Sequence, residues 1–240
     1  MNLDGRRVLV IGGTSGIGLG VARAALAEGA RVTVASSGAA KVRAALDRLA
    51  GAEGAVLDVT DEGAVAAFFA GRDGFDHIAF TAADWGQVHH VPLGETDIRA
   101  AASIFDVRVW GAVAVAKHAA PGMTPGGTLI LTNGMAAHRP QPGMAVTVAM
   151  AGAIEHLVKG LAVELAPVRV NGVCPGAIRT EAWDELPAEF RAVQEARLAG
   201  QPLPRVGETT ECAEAYLTLM RNGYVTGQTL RVEGGWSLSG

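Results

Sequence analysis

Residues 7–18 read RVLVIGGTSGIG, and this stretch constrains the chain more than any other. Val8 to Ile11 form an unbroken apolar run, as expected of a strand buried on both faces of a parallel sheet. The run breaks at Gly12 into a turn of small residues. From Gly16 the spacing becomes helical, with Ile17, Val21, Ala24, Ala25 and Leu26 on one face. Strand, glycine turn and helix start together aim backbone N–H groups and the positive end of a helix dipole at one point, which suits a pyrophosphate. Glycine at 12, 16 and 18 lets the backbone turn sharply and approach a ligand with no Cβ in the way. Glycine spacing alone is equally compatible with an ordinary tight turn, so the surroundings have to decide.

Those surroundings alternate. Arg31 to Ala35 (RVTVA) reads as a second buried strand, Lys41 to Leu49 as a helix, and Ala55 to Val59 (AVLDV) as a short third strand. Asp61 and Glu62 favour the start of a helix running to about Phe69, and Asp76 to Thr81 is a fourth strand. A looser stretch with Trp85, His89 and His90 follows, then helices over Asp97–Phe105 and Val107–Ala119. Thr128–Thr132 is the fifth strand, Ala145–Leu165 a long helix, and Arg169–Val173 the sixth strand. Glu181 to Gln201 is charged and amphipathic, where a mobile cover over a site would lie. Glu211–Met220 is helical, and Thr229–Glu233 is a last strand. Regular strand–helix alternation predicts an α/β fold: a single Rossmann-like, doubly wound parallel sheet with helices on both faces.

Composition narrows the classes. At 240 residues the chain fits one large α/β domain over residues 1–240, a single dinucleotide-binding domain if the glycine turn holds a pyrophosphate, because two halves would each need a core. A net charge of −4 and the absence of a Lys/Arg cluster give no field for nucleic acid. Cys174 and Cys212 are too few for a disulfide framework, consistent with a reducing compartment. The first strand begins too early to leave room for a signal peptide, and no apolar run approaches the ~20 residues of a membrane span. A cytoplasmic protein with no membrane partner is expected.

Over nearly its whole length the sequence resembles the short-chain dehydrogenase/reductase family. The family's first glycine pattern corresponds to Gly12, Gly16 and Gly18, with Thr14, Ser15 and Ile17 between and beside them. Its adenine-contacting Asp corresponds to Asp58, beside Val59. VRVNGVCPGAIRT, Val168 to Thr180, resembles the segment at the nicotinamide end, placing Pro175, Gly176, Ile178 and Thr180 there. The turn after strand four, Thr81-Ala82-Ala83-Asp84, departs from the family's Asn-Asn-Ala-Gly, and Ala82 and Ala83 still fall beside the cofactor. VTGQTLRVEGG, Val225 to Gly235, resembles the closing strand, and Gly152 to Ala166 the long interface helix. The resemblance implies strand order 3-2-1-4-5-6-7, and a homotetramer or homodimer built on the long helices.

The family's catalytic positions are altered under the same alignment. Thr147 falls at the Tyr, Ala151 at the Lys, Gly134 at the Ser and Arg108 at the Asn. Tyr216 and Tyr224 lie far along the chain, and neither has a Lys at the required spacing. His138, on the loop past Gly134, is a candidate replacement acid because histidine titrates near neutral pH. Arg108 is a candidate cation near the nicotinamide ribose, although an Arg in mid-helix is more often paired to a carboxylate. Asp84, Trp85, His89 and His90 are candidates to line a cleft; the two adjacent histidines lack a third ligand at metal-like spacing, so no metal site is expected. Glu155 and His156 fall on an exposed or subunit-facing helix surface.

At the end of strand two, an Asp or Glu about 20 residues beyond the glycines would bond the ribose diol of NAD. Here stand Ser36 and Ser37, with Lys41 a turn onward, which suits a 2′-phosphate. NADP(H) is therefore preferred over NAD(H). Three readings of function follow: an NADP(H)-dependent oxidoreductase with an atypical proton-transfer site, a catalytically inactive nucleotide-binding sensor or partner, and a non-redox lyase or isomerase. The substrate is a small molecule of unassigned class.

Overall fold

A computed structural model describes residues 2–84 and 91–239. Seven parallel strands form one sheet: β1 (Arg7–Ile11), β2 (Arg31–Ser36), β3 (Glu53–Val56), β4 (His77–Phe80), β5 (Thr128–Thr132), β6 (Arg169–Pro175) and β9 (Thr229–Val232). Their order is β3-β2-β1-β4-β5-β6-β9, the expected order, since β9 is the seventh strand of this sheet. The two intervening strands, β7 (Ile178–Arg179) and β8 (Gly207–Glu208), pair only with each other.

Strand alternation sorts the core into two layers. Leu9 and Ile11 point to one face, covered by α3 (Glu62–Ala70), α5 (Gly111–Ala119) and α6 (Ala145–Glu164), with Phe68, Val115, Ile154 and Val158. Val8 and Val10 point to the other, covered by α1 (Gly16–Ala27), α2 (Ala39–Leu46) and α9 (Thr209–Arg221), with Leu19, Val21, Cys212 and Tyr216. Cover on both faces explains why these strands are apolar at consecutive positions. Helix starts are marked locally. Asp61 accepts the N–H of Ala64 at 3.0 Å to cap α3, and Glu208 and Glu211 form a reciprocal capping box at α9.

Several boundaries differ from those expected. The third strand is Glu53–Val56, not Ala55–Val59. Glu53 pairs with Thr33 at the sheet edge despite being exposed, whereas Leu57 and Val59 are buried as a loop. Val59 packs against Gly111, where an added Cβ would lie 2.8 Å from its methyl. The second helix starts earlier, at Ala39. Before α5 the helical path of 106–110 widens into a π-turn, and the preceding helix α4 shrinks to Ile98–Ala102. Segment 181–201 is two helices, α7 (Glu181–Asp184) and α8 (Ala188–Leu198), held at its roots by β7 and β8 and by a small cluster of Trp183, Leu198 and Val206.

The expectation that nothing approaches a membrane span also needs correction. By length and composition α6 qualifies. Its inner face nonetheless contributes Met150, Ile154, Val158 and Leu161 to the core.

Candidate active site

Strand order reverses between β1 and β4, so the carboxyl ends of these strands border a crevice, the usual ligand position in an open α/β sheet. The glycine turn after β1 and the Thr81–Asp84 segment after β4 meet there. Gly12 has φ +84°, and a Cβ on it would lie 2.5 Å from the Ala82 nitrogen. A Cβ on Gly18 would lie 2.3 Å from the Gly12 carbonyl oxygen and 2.4 Å from Thr81 Oγ1. Only glycine permits this approach of turn, strand end and helix. Hydrogen bonds fasten it: Gly12 N–H to the Ala35 carbonyl at 2.8 Å, and Thr81 N–H and hydroxyl both to the Ile11 carbonyl, at 2.7 and 2.9 Å.

The turn accepts an anion. Gly16 N–H, at the first residue of α1, donates to Glu181 Oε2 at 2.8 Å, while Arg48 Nη2 donates to Glu181 Oε1 at 2.9 Å. Thr180 borders the same glycine, its Cγ2 3.2 Å from where a Cβ would stand. The cradle therefore fits a dinucleotide's pyrophosphate in both shape and sign. Around it, Ser15 is exposed while Thr14 and Ile17 are half-buried, and Pro175, Gly176 and Ile178 run from the end of β6 into β7.

Ser36 ends β2 half-buried, Ser37 is exposed, and Lys41 lies in the first turn of α2. Asp58 lies just after β3, its Oδ1 accepting Thr60 N–H at 3.0 Å and Thr60 hydroxyl at 2.7 Å. Those two bonds hold its carboxyl below the usual range. Ala82 and Ala83 line the β4 end; Trp85, His89 and His90 fall outside the described residues.

At the opposite side of the crevice, the loop after β5 meets the start of α6. Ala136, Met144 and Ala151 pack together with Ala137 and Val148. Gly134 opens the loop segment of that cluster, and Thr147 and Ala151 lie on the first turns of α6. Gly134 has open space where a Cβ would point, and Thr147 is 1% exposed, its hydroxyl without a hydrogen-bond partner among the described residues. Arg108, on the π-turn, is buried at 4% exposure. Burial pushes its guanidinium down to about 10, opposed by Tyr216 and by the carboxylate of Asp84, so the charge persists at neutral pH.

Two placements depart from expectation. Glu155 does not merely face outward: its Oε2 lies 3.3 Å from His138 Nε2, an ion-pair distance. His156 is exposed, as expected. Tyr216 is a residue that sequence reasoning set aside and the fold brings in. It is fully buried, and its hydroxyl donates to Thr132 Oγ1 at 2.7 Å while Thr132 donates onward to the Phe80 carbonyl. Burial holds the phenol well above its usual range, opposed by the charge of Arg108. No spacing rule in the sequence signals it.

A family model described as enoyl-(acyl carrier protein) reductase matches residues 12–237. The short-chain dehydrogenase/reductase ucsE of an Acremonium species is 36% identical over 254 residues, covering 97% of this chain and 96% of that protein. The chain belongs to the short-chain dehydrogenase/reductase family. Among solved structures, the MalC reductase/Diels-Alderase from Malbranchea aurantiaca superposes with a TM-score of 0.90 at 33% identity, covering 98% of each chain. A small-chain dehydrogenase in complex with NADPH matches with a TM-score of 0.83 at 33% identity, covering 98% of this chain and 100% of that one. The family is one of oxidoreductases, and the NADPH-bound relative holds a nicotinamide dinucleotide on this same fold.

A cavity of about 340 Å³ lined by Phe69, Arg72, Phe75 and His118 lies at the other end of the sheet, beside the start of β4, and touches none of these residues.

Proposed function

We propose that this family member is an NADP(H)-dependent oxidoreductase whose proton-transfer site departs from the family pattern. The carrying observation is α6, which presents Thr147 and Ala151, both 1% exposed, where the resemblance implies a Tyr and a Lys. When bound, the dinucleotide supplies hydride chemistry. The chain's part is to hold it: the Gly12–Gly18 turn and Thr180 at the pyrophosphate, Asp58 and Val59 at the adenine, Ser36, Ser37 and Lys41 at a 2′-phosphate, and Ala82, Ala83 and Pro175–Ile178 towards the nicotinamide. Residues 1–240 act as one domain, and segment 181–201 covers the site. Self-association on α5 and α6 is supported by Trp110, just before α5, and by Val163 on α6, exposed at 63% and 82%.

Thr147 carries an aliphatic hydroxyl, far less acidic than a phenol. Loss of a positioned acid costs ~10²–10⁴-fold in rate, about 3–5 kcal/mol of barrier. The buried cation of Arg108 offsets part of that by stabilising negative charge developing nearby. His138 is a poorer candidate than its place in the sequence suggests. Its partner Glu155 stands eight residues beyond Thr147 on α6, about 12 Å along the axis. The pair serves better to fasten the loop after β5 to the helix, so His138→Gln should leave turnover unchanged; a marked fall would restore the acid role.

NADPH oxidation against a panel of ketones, quinones and enones tests the proposal. Turnover of activated acceptors, with NADPH bound more tightly than NADH, supports it; tighter NADH binding overturns the cofactor preference. Binding without turnover supports the second reading, a nucleotide-binding regulator, which the buried Thr147 hydroxyl also favours. The relative described as a reductase/Diels-Alderase is reason to follow non-redox products in the same assay.

A further inference from the structure

We propose that Glu181 is a latch on the dinucleotide site: its carboxylate occupies the place of a phosphate on the glycine turn and must leave before a dinucleotide binds. The inference rests on reading that turn as the cofactor site. Gly16 and Glu181 are 165 residues apart, yet the N–H of the first donates to Oε2 of the second at 2.8 Å. This N–H is among those an α-helix leaves without an internal partner, and α1, at 12 residues, places its positive dipole end there. The second carboxylate oxygen takes Arg48 Nη2 at 2.9 Å. One anion thus bridges a helix N-terminus and a guanidinium, the pair of partners a phosphate oxygen would take.

Stability does not account for the placement. Both side chains of the Arg48–Glu181 pair are more than two-fifths exposed, and exposed ion pairs contribute little. Burial alone would raise the Glu181 carboxyl, but bonds from its own N–H, from Gly16 and from Arg48 together hold it low, so it is charged at neutral pH. A pyrophosphate on the same N–H would face that charge at contact distance, and the two cannot share the position. Glu181 also opens α7, directly after Thr180. Its release therefore loosens the root of the segment that covers the crevice, coupling cofactor entry to movement of the cover.

Fluorescence titration of the full chain with NADPH and with NADH tests this in wild type, Glu181→Gln and Glu181→Ala, with ligand-free melting curves to establish that the variants fold. Glu181→Gln keeps the shape and removes the charge, and should bind NADPH about tenfold more tightly, as expected for losing one competing charged hydrogen bond. Glu181→Ala should show at least the same gain. Equal affinities in wild type and both variants would overturn the latch while leaving the cofactor site standing. Absence of dinucleotide binding in all three would overturn the site, and the latch with it.

Discussion

Gly18→Ala gives the sharpest test of how the turn is built. The added methyl would sit 2.3 Å from the Gly12 carbonyl oxygen and 2.4 Å from Thr81 Oγ1. Each oxygen must retreat by roughly 0.7 Å before the contact reaches even 3.0 Å. Neither can do so freely. The first belongs to backbone whose N–H is tied to Ala35, and the second is hydrogen-bonded to the Ile11 carbonyl. Overpacking of this kind costs about 3 kcal/mol, the upper end of the usual range, because backbone rather than a side-chain tip must move. For a chain of this length that corresponds to a fall in melting temperature of about 6–12 °C. Displacing the Gly12–Gly16 backbone also spoils the N–H cradle, so NADPH affinity should drop by at least tenfold. The control is Gly134→Ala. Gly134 has an extended backbone (φ −161°, ψ 159°) and open space around its missing Cβ, so that change should stay within about 0.5 kcal/mol. Differential scanning calorimetry and fluorescence titration of both variants decide the matter. A Gly18→Ala protein that melts and binds like wild type would refute the steric argument.

Three further outcomes follow from the buried polar groups. Asp76 accepts Arg7 N–H at 2.8 Å, Thr124 hydroxyl at 2.9 Å and Arg6 Nη1 at 3.3 Å; burial works to raise its carboxyl, but these bonds hold it below the usual value. Asp76→Asn should cost ~1–3 kcal/mol in urea unfolding. Because the folded carboxyl titrates below the unfolded one, at about 3.9, the wild-type advantage should be constant well above that pH and shrink as pH falls through the folded value; an advantage that grew in acid would contradict the assignment. Arg169 donates to the carbonyls of Leu219 at 2.7 Å, Met220 at 3.0 Å, Val225 at 3.2 Å and Gly126 at 3.3 Å, satisfying the end of α9. Arg169→Met strands those carbonyls and should destabilise by about 3–5 kcal/mol, measured by denaturant midpoint. Tyr216→Phe removes only the bond to Thr132, which still donates to Phe80, so the loss should be ~1 kcal/mol.

Much of the fold was legible because its signals are local. The apolar run Val8–Ile11, the turn glycines and the helical spacing after Gly16 occupy one short stretch, and each reports on its own neighbours. β5 and the long helix α6 were placed nearly to the residue for the same reason. The third strand was misplaced because an edge strand need not be apolar. Glu53 and Gly54 pair with β2 while exposed, and the apolar residues beyond them are buried by the start of α5 instead.

The sequence by itself determined the alternation of strands and helices and the glycine turn at the first crossover. Only the tertiary structure decided that Glu181 reaches Gly16, that Glu155 meets His138, and that Tyr216 and Arg108 come within each other's field. Periodicity and turn chemistry act between residues a few positions apart, and can be read along the chain. Which charge meets which across 165 residues depends on how the layers stack, and no local pattern carries that information.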